Sequence, residues 1–116
     1  MADIPLLSKS KSFALAIIKV CNEVKSSKHE SVLTNQLIRS GTSIGANIRE
    51  AFYGHSKADF ISKLQIALKE ASETEYWLEL LHESGYIQNV TCFDSIYYDC
   101  QELIAILMAI TKSNTN

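Results

Sequence analysis

The apolar positions of the chain fall into four stripes with helical spacing, and none of its segments alternates as a strand would. Over residues 8–25, Phe13, Ile17, Val20 and Val24 recur at steps of four, three and four, and Ala14, Ile18 and Cys21 widen the stripe. That is one face of an amphipathic helix. Lys9, Lys11, Lys19 and Lys25 fall mostly outside it. The polar stretch Ser26–Glu30 has the length that joins antiparallel neighbours. A second helix is predicted over 31–53, with Leu33, Leu37, Gly41, Ile44, Ile48 and Phe52 on its apolar face. Gly54 ends it, and Ser56 followed by Asp59 is a capping signal for a third helix over 57–83. Phe60, Leu64, Ala67, Ala71 and Leu78 form that helix's main stripe. Gly85 stops it, with Tyr86 and Ile87 resuming apolar contact just beyond. A fourth helix is predicted over 92–111, started by Thr91, with Phe93, Tyr97, Cys100, Ile104 and Leu107 in line and Ile96, Leu103 and Ile110 broadening the face. Pro5 lies ahead of the first helix, and the polar tail 113–116 is expected to be disordered. Four helices with short connections make an all-α fold, an up-down-up-down antiparallel four-helix bundle filling one domain over residues 1–116.

The second helix departs from an ordinary amphipathic pattern between Arg39 and Ala51. Two glycines there, Gly41 and Gly45, each cost about 1 kcal/mol against alanine inside a helix. Close approach of a neighbouring backbone offsets such a cost. Ser40, Ser43 and Asn47 line one flank of this helix and Thr42, Gly45 and Arg49 another, where a surface helix would carry long charged residues. Small residues on several faces suggest two different neighbours, the helix's own bundle and a second subunit. The third helix repeats the hint. Ile66, Trp77 and Leu80 lie about 100° around from its main stripe, among Lys63, Glu70 and Glu73, and Trp77 is the only tryptophan. A homo-oligomer is therefore expected, with Gly41, Gly45, Ile66, Trp77 and Leu80 as candidate subunit-interface residues.

Composition sharpens this without redirecting it. At 116 residues the chain is long enough to bury a core without disulfides or metal. The formal charge of −2 supplies no global basic field for nucleic acid. Charge is uneven, however: residues 1–29 carry five lysines against two acids, and residues 56–84 three lysines against six acids. Such asymmetry can steer subunits or partners, although solvated charged faces are the commoner cause. Arg39, Arg49, Lys57 and Lys63 cluster around the second helix and the start of the third. They are candidate phosphate or partner contacts if a ring repeats them, and ion pairs with Glu70, Glu73 or Asp59 of a neighbouring subunit are the simpler use. Three cysteines without a C-x-x-C pair suit reduced thiols in a cytoplasm. No signal peptide is legible at the N-terminus, and the longest apolar run, Leu103–Ile110, is far short of a membrane span.

Several motifs invite chemistry that their setting does not support. Gly41-Thr-Ser-Ile-Gly45 matches the hydrolase nucleophile elbow, but that chemistry needs a strand-to-helix turn on an α/β sheet. The same residues spell G-x-x-x-G, whose packing physics can operate between soluble helices, within or between subunits. Glu79-Leu-Leu-His82 is half of a bundle di-iron site, and neither His29 nor His55 supplies the second half; a solvated His82 near the helix end is expected instead. Asn47, Glu50 and Glu75 could sit at buried faces, where interhelical hydrogen bonds are the usual role. The expectation is no catalytic residue, no cofactor, no metal, no small-molecule substrate and no membrane.

Residues Gln36 to Ala51 read Gln-Leu-Ile-Arg-Ser-Gly-Thr-Ser-Ile-Gly-Ala-Asn-Ile-Arg-Glu-Ala. With the downstream Ser56-Lys-Ala-Asp-Phe60, Ala67-Leu-Lys-Glu-Ala71, Glu73-Thr-Glu-Tyr-Trp-Leu-Glu-Leu-Leu81 and Gly85-Tyr-Ile87, the chain resembles the four-helix bundle proteins of 23S rRNA intervening sequences. That resemblance implies an up-down bundle assembling into a barrel-like homopentamer. It also implies a relation to the accessory variability protein of diversity-generating retroelements, a bundle that partners a reverse transcriptase and nucleic acid. Ala51 stands where the family motif has glycine, so the second helix is expected to continue further. This chain is slightly acidic, where the retroelement proteins are typically strongly basic. Together these features point to a non-enzymatic oligomeric scaffold or binding module, with nucleic-acid binding through Arg39, Arg49 and the first-helix lysines as the alternative.

Overall fold

Four α-helices account for the architecture of residues 4–114, which a computed structural model of the chain describes. They are α1 (Pro5–Lys28), α2 (Val32–Phe52), α3 (Lys57–Glu83) and α4 (Val90–Asn114). Each packs on its neighbours in chain order, α4 returns to α1, and among the described residues the diagonal backbones do not approach closely. The bundle is therefore four-cornered and closed, with α1 and α4 making the loosest seam. At about 1.5 Å per residue, the 27-residue α3 spans most of the 44 Å long axis. Among the described residues, no helix is long and apolar enough to cross a membrane.

The ends of the helices show where local chemistry overrode the sequence pattern. Helix α1 begins at Pro5 instead of Ser8. Proline has no N–H to leave unsatisfied in a first turn, so it opens the helix where it was read as preceding it. At its other end α1 runs through Lys28 and stops at His29, whose φ of 57° is left-handed. Helix α2 is capped by the Glu30 carboxylate, which accepts from the Leu33 and Thr34 N–H groups at 2.9 Å each. Ala51 remains helical, and α2 ends one residue later. The Ser56 hydroxyl accepts from the Asp59 N–H at 3.0 Å, the cap expected for α3. Helix α4 starts before Thr91, because the Asn89 side chain accepts from the Cys92 N–H at 3.0 Å. The tail expected to be disordered is helical through Asn114, and residues 115–116 lie outside the described residues.

The core is a single apolar cluster. Phe13, Ile17, Val20 and Val24 of α1 meet Leu37, Ile44 and Ile48 of α2, then Leu64, Ala67, Ala71 and Leu78 of α3. On α4 the buried line is Phe93, Ile96, Cys100, Leu103 and Leu107, while Tyr97 and Ile104 lie half-buried at its edge. The face of α4 is thus rotated slightly from the stripe read in the sequence. Burial of this kind supplies about 25 cal/mol per Å² of apolar surface and drives the packing. Polar groups enter the core only with partners. The Ser40 and Thr74 hydroxyls bond each other at 2.9 Å across α2 and α3. The Cys21 thiol reaches the Thr34 carbonyl, and the Cys100 thiol the Ala71 carbonyl. Among the described residues, no buried side-chain polar atom lacks a partner.

Candidate interaction surfaces

The small residues of α2 serve both flanking helices of its own bundle. A Cβ on Gly41 would fall 2.9 Å from Ile17 Cγ2, so α1 lies directly on this glycine. A Cβ on Gly45 would lie 3.4 Å from Ser10 Oγ and 3.5 Å from the Ser10 carbonyl oxygen, again on α1. Ser40, on the opposite flank, faces Thr74 of α3. The close approach expected at the glycines is therefore made to α1 of the same chain. Asn47 satisfies itself locally, its amide donating to the Ser43 carbonyl at 2.9 Å.

Gly45 is nevertheless only half-buried, and it floors a surface groove of about 360 Å³ between α1 and α2. Leu7, Ser10, Ala14, Thr42 and Ala46 line it too, together with the cations Lys11 and Arg49. Among the described residues neither cation has an ion-pair partner. Leu15 and Ile18 extend the apolar surface along α1, at 59% and 36% exposure.

The second surface lies along the flank of α3 nearest α2. Ile66 is 39% exposed and, further along the helix, Tyr76 54%, with Trp77 and Leu80 half-buried. The Trp77 ring is held in place. Its Nε1–H donates to Glu73 Oε2 at 3.0 Å, and Glu73 also pairs with Arg39 of α2. Arg39 reaches Glu70 at 3.3 Å as well. The indole hydrogen bond, with the Arg39 guanidinium behind it, holds the Glu73 carboxyl below its ordinary range.

The four cations singled out in the sequence thus part company. Arg39 is engaged by Glu70 and Glu73, and Lys63 by Glu50 at 3.0 Å. Arg49 stands on the α1–α2 groove, and Lys57 is exposed at the start of α3. Arg39 pairs with Glu70 and Glu73 of its own chain, where pairs with a neighbouring subunit's carboxylates were expected. Lys11, one of the first-helix lysines, is set against Arg49 only by the fold.

His82 differs from expectation. Instead of standing in solvent, it stacks on Phe93 with ring centroids 3.9 Å apart, and its Nδ1 is 3.1 Å from the Ile87 carbonyl oxygen. Glu79 accepts a hydrogen bond from the Tyr97 hydroxyl, which raises the Tyr97 pKa. Both members of the E-x-x-H pair are thus engaged in joining α3 to α4. Among the described residues no three His, Cys, Asp or Glu side chains come together as a metal ion would require.

No curated protein matches the chain. The family model of the 23S rRNA-intervening sequence protein matches residues 2–109. Among solved structures, the chain is similar to a protein of unknown function from the S23 ribosomal protein family of Bacteroides thetaiotaomicron. The two are 48% identical over 92% of this chain and 98% of that one, with a TM-score of 0.88. The fold, the central motif of α2 and the extent of the match agree, and the chain belongs to the family of 23S rRNA-intervening sequence proteins.

Proposed function

We propose that this chain is a non-enzymatic, self-associating four-helix bundle that serves as a scaffold or binding module for a macromolecular partner. The observation that supports this reading is the fixed aromatic anchor on α3. Half-buried Trp77 lies near Tyr76, with Ile66 about three turns earlier on α3, and Glu73 and Arg39 fix its orientation. An aromatic side chain already ordered in the free protein loses little entropy on binding, which makes it an effective interface anchor. A homopentamer is the assembly that the family resemblance implies. Light scattering at micromolar concentration tests the proposal. Self-association gives a mass several times 13.0 kDa, whereas a 13.0 kDa monomer contradicts it.

The alternative is a nucleic-acid-binding accessory protein. What favours it is the pair of unpartnered cations on the α1–α2 groove, Lys11 and Arg49. Against it, Arg39 and Lys63 are already neutralised by carboxylates. Affinity for structured RNA that falls steeply with salt would favour this alternative, and no binding at low salt would exclude it.

A further inference from the structure

Helix α1 carries a second stripe outside the core. Leu7, Lys11, Ala14 and Ile18 recur at steps of four, three and four. The first three line the α1–α2 groove, and Ile18, 36% exposed, continues their line one turn further. Across the groove α2 brings Gly45 and Ala46, whose small size leaves its backbone close to the surface, and then Arg49. Lys11 and Arg49 stand apart from Lys9, Arg39 and Lys63, each of which meets a carboxylate on another helix. They also stand apart from Lys19 and Lys69, which have Glu23 and Glu73 one turn along their own helices. One turn either way from Lys11 are Leu7, Ser8, Ala14 and Leu15; from Arg49 they are Gly45, Ala46, Phe52 and Tyr53. No residue lining the groove is acidic.

We propose that the α1–α2 groove is the docking site for an acidic amphipathic helix of a partner protein. The proposal rests on the binding-module reading above and names the chemistry of the partner. The arriving helix lays an apolar stripe against Leu7, Ala14 and Ile18, and its flanking carboxylates meet Lys11 and Arg49. From Leu7 to Ile18 the stripe covers about 16 Å at about 1.5 Å per residue, or about three turns of a partner helix. A helix fits better than an extended peptide, because helices bonded within themselves offer no strand edge to join, whereas a groove between two helices accepts a third. Exposed ion pairs alone contribute little. The apolar stripe supplies the contact area, and the two cations select the sign of the partner and speed its encounter.

The same two cations favour the nucleic-acid alternative, but the rest of the groove does not. Its lining holds no aromatic ring on which a base could stack, and Leu7, Ala14 and Ile18 offer nothing to a phosphate backbone. An acidic helix uses the charge and the apolar stripe together. A second copy of this chain is a poorer fit as the occupant. Glu70 and Glu73 of α3 are engaged by Arg39, with Lys69 acting on Glu73 as well, and Trp77 packs on its own core. Glu79 is held by the Tyr97 hydroxyl.

Selection from a displayed library of helical peptides tests this without assuming a partner. The library keeps a helix-forming frame of about 15 residues and varies its surface positions among apolar, acidic, basic and neutral polar side chains; the natural full chain is the bait. Enriched peptides are expected to carry apolar residues at i, i+4 and i+7 flanked by aspartate or glutamate. As free labelled peptides they are expected to bind at least about tenfold more weakly to the double variant Lys11→Glu with Arg49→Glu, and likewise to Ile18→Glu. Changing the acidic positions of the peptide to lysine should restore binding to the double variant. All three substituted positions are exposed, and circular dichroism confirms that the variants are folded. No enrichment, enrichment without acidic residues, or equal binding by the folded variants would overturn the proposal. So would structured RNA that binds the natural chain and not the double variant while no peptide is enriched, which assigns the groove to nucleic acid. A double variant that is monomeric where the natural chain assembles, again with no peptide enriched, assigns the groove to a second copy. A natural chain that is monomeric yet selects acidic helices removes self-association and supports this site.

Discussion

Gly41 lies so close to Ile17 that a Cβ atom added to it would sit 2.9 Å from Ile17 Cγ2. Ile17 is fully buried and cannot retreat without disturbing α1. Gly45, one turn on, has room: its added Cβ would meet Ser10 at ordinary contact distance. The two glycines should therefore respond oppositely to alanine. Gly41→Ala gains about 1 kcal/mol of helix propensity but overpacks the core by about 1–3 kcal/mol, for a net loss of about 1 kcal/mol. Gly45→Ala is expected to gain about 0.5–1 kcal/mol. Denaturant unfolding at one fixed protein concentration measures both, and equal effects would contradict the difference in spacing.

The three thiols should separate by reactivity. Burial pushes the Cys21 thiol up to about 11 and the Cys100 thiol up to about 12, while Cys92 is half-exposed near the start of α4. At pH 8 a disulfide reagent is expected to modify Cys92 alone in the native protein, and all three cysteines after denaturation. The buried pair also sets an alkaline limit. A thiol with a raised pKa contributes fully below the unfolded value of about 8.5. Above that value the unfolded chain releases its protons first, so stability falls as pH rises toward 11–12. Cys100→Ala should flatten that fall at the cost of a small cavity.

Trp77 is the only tryptophan, so its fluorescence reports directly on Glu73. The Glu73 carboxyl is held down, first by the indole N–H and then by Arg39. A depressed carboxyl contributes stability above the unfolded value of about 4.3, and that contribution disappears as pH falls through the lower folded value. Emission is expected to hold steady through the ordinary glutamate range and to change only at pH below it. In Glu73→Gln that acid change should vanish. A transition at ordinary glutamate pH would show that the Trp77–Glu73 contact is not maintained in solution.

Gly85 ends α3 with a φ of +89°, and the Tyr86 and Ile87 N–H groups both turn back to the Leu81 carbonyl. No atom crowds the position, so Gly85→Ala should cost only its conformational penalty, about 1–2 kcal/mol. Thermal unfolding reads this, and an unchanged midpoint would contradict the strain.

Much of this architecture was legible because helix faces repeat. Phe13, Ile17, Val20 and Val24, or Leu64, Ala67, Ala71 and Leu78, declare their common neighbour by spacing alone. Helix ends were less legible, since Glu30 and Asn89 cap through side chains that also occur in ordinary loops, and Pro5 can precede a helix or begin one. The interaction surfaces were legible only in part. Ile66, Trp77 and Leu80 betray a second apolar face on α3, yet no spacing rule brings Lys11 of α1 to the same groove as Arg49 of α2. Nor does the sequence reveal that Arg39 is engaged twice within its own chain, because that requires the rotation of α2 against α3.

The mass of the natural chain in solution, measured by light scattering beside Trp77→Ala and Ile66→Glu, bears most directly on the proposed assembly. The natural chain is expected at a fixed small multiple of 13.0 kDa, and the folded flank variants near 13.0 kDa. A natural chain at 13.0 kDa across micromolar concentrations would contradict self-association itself.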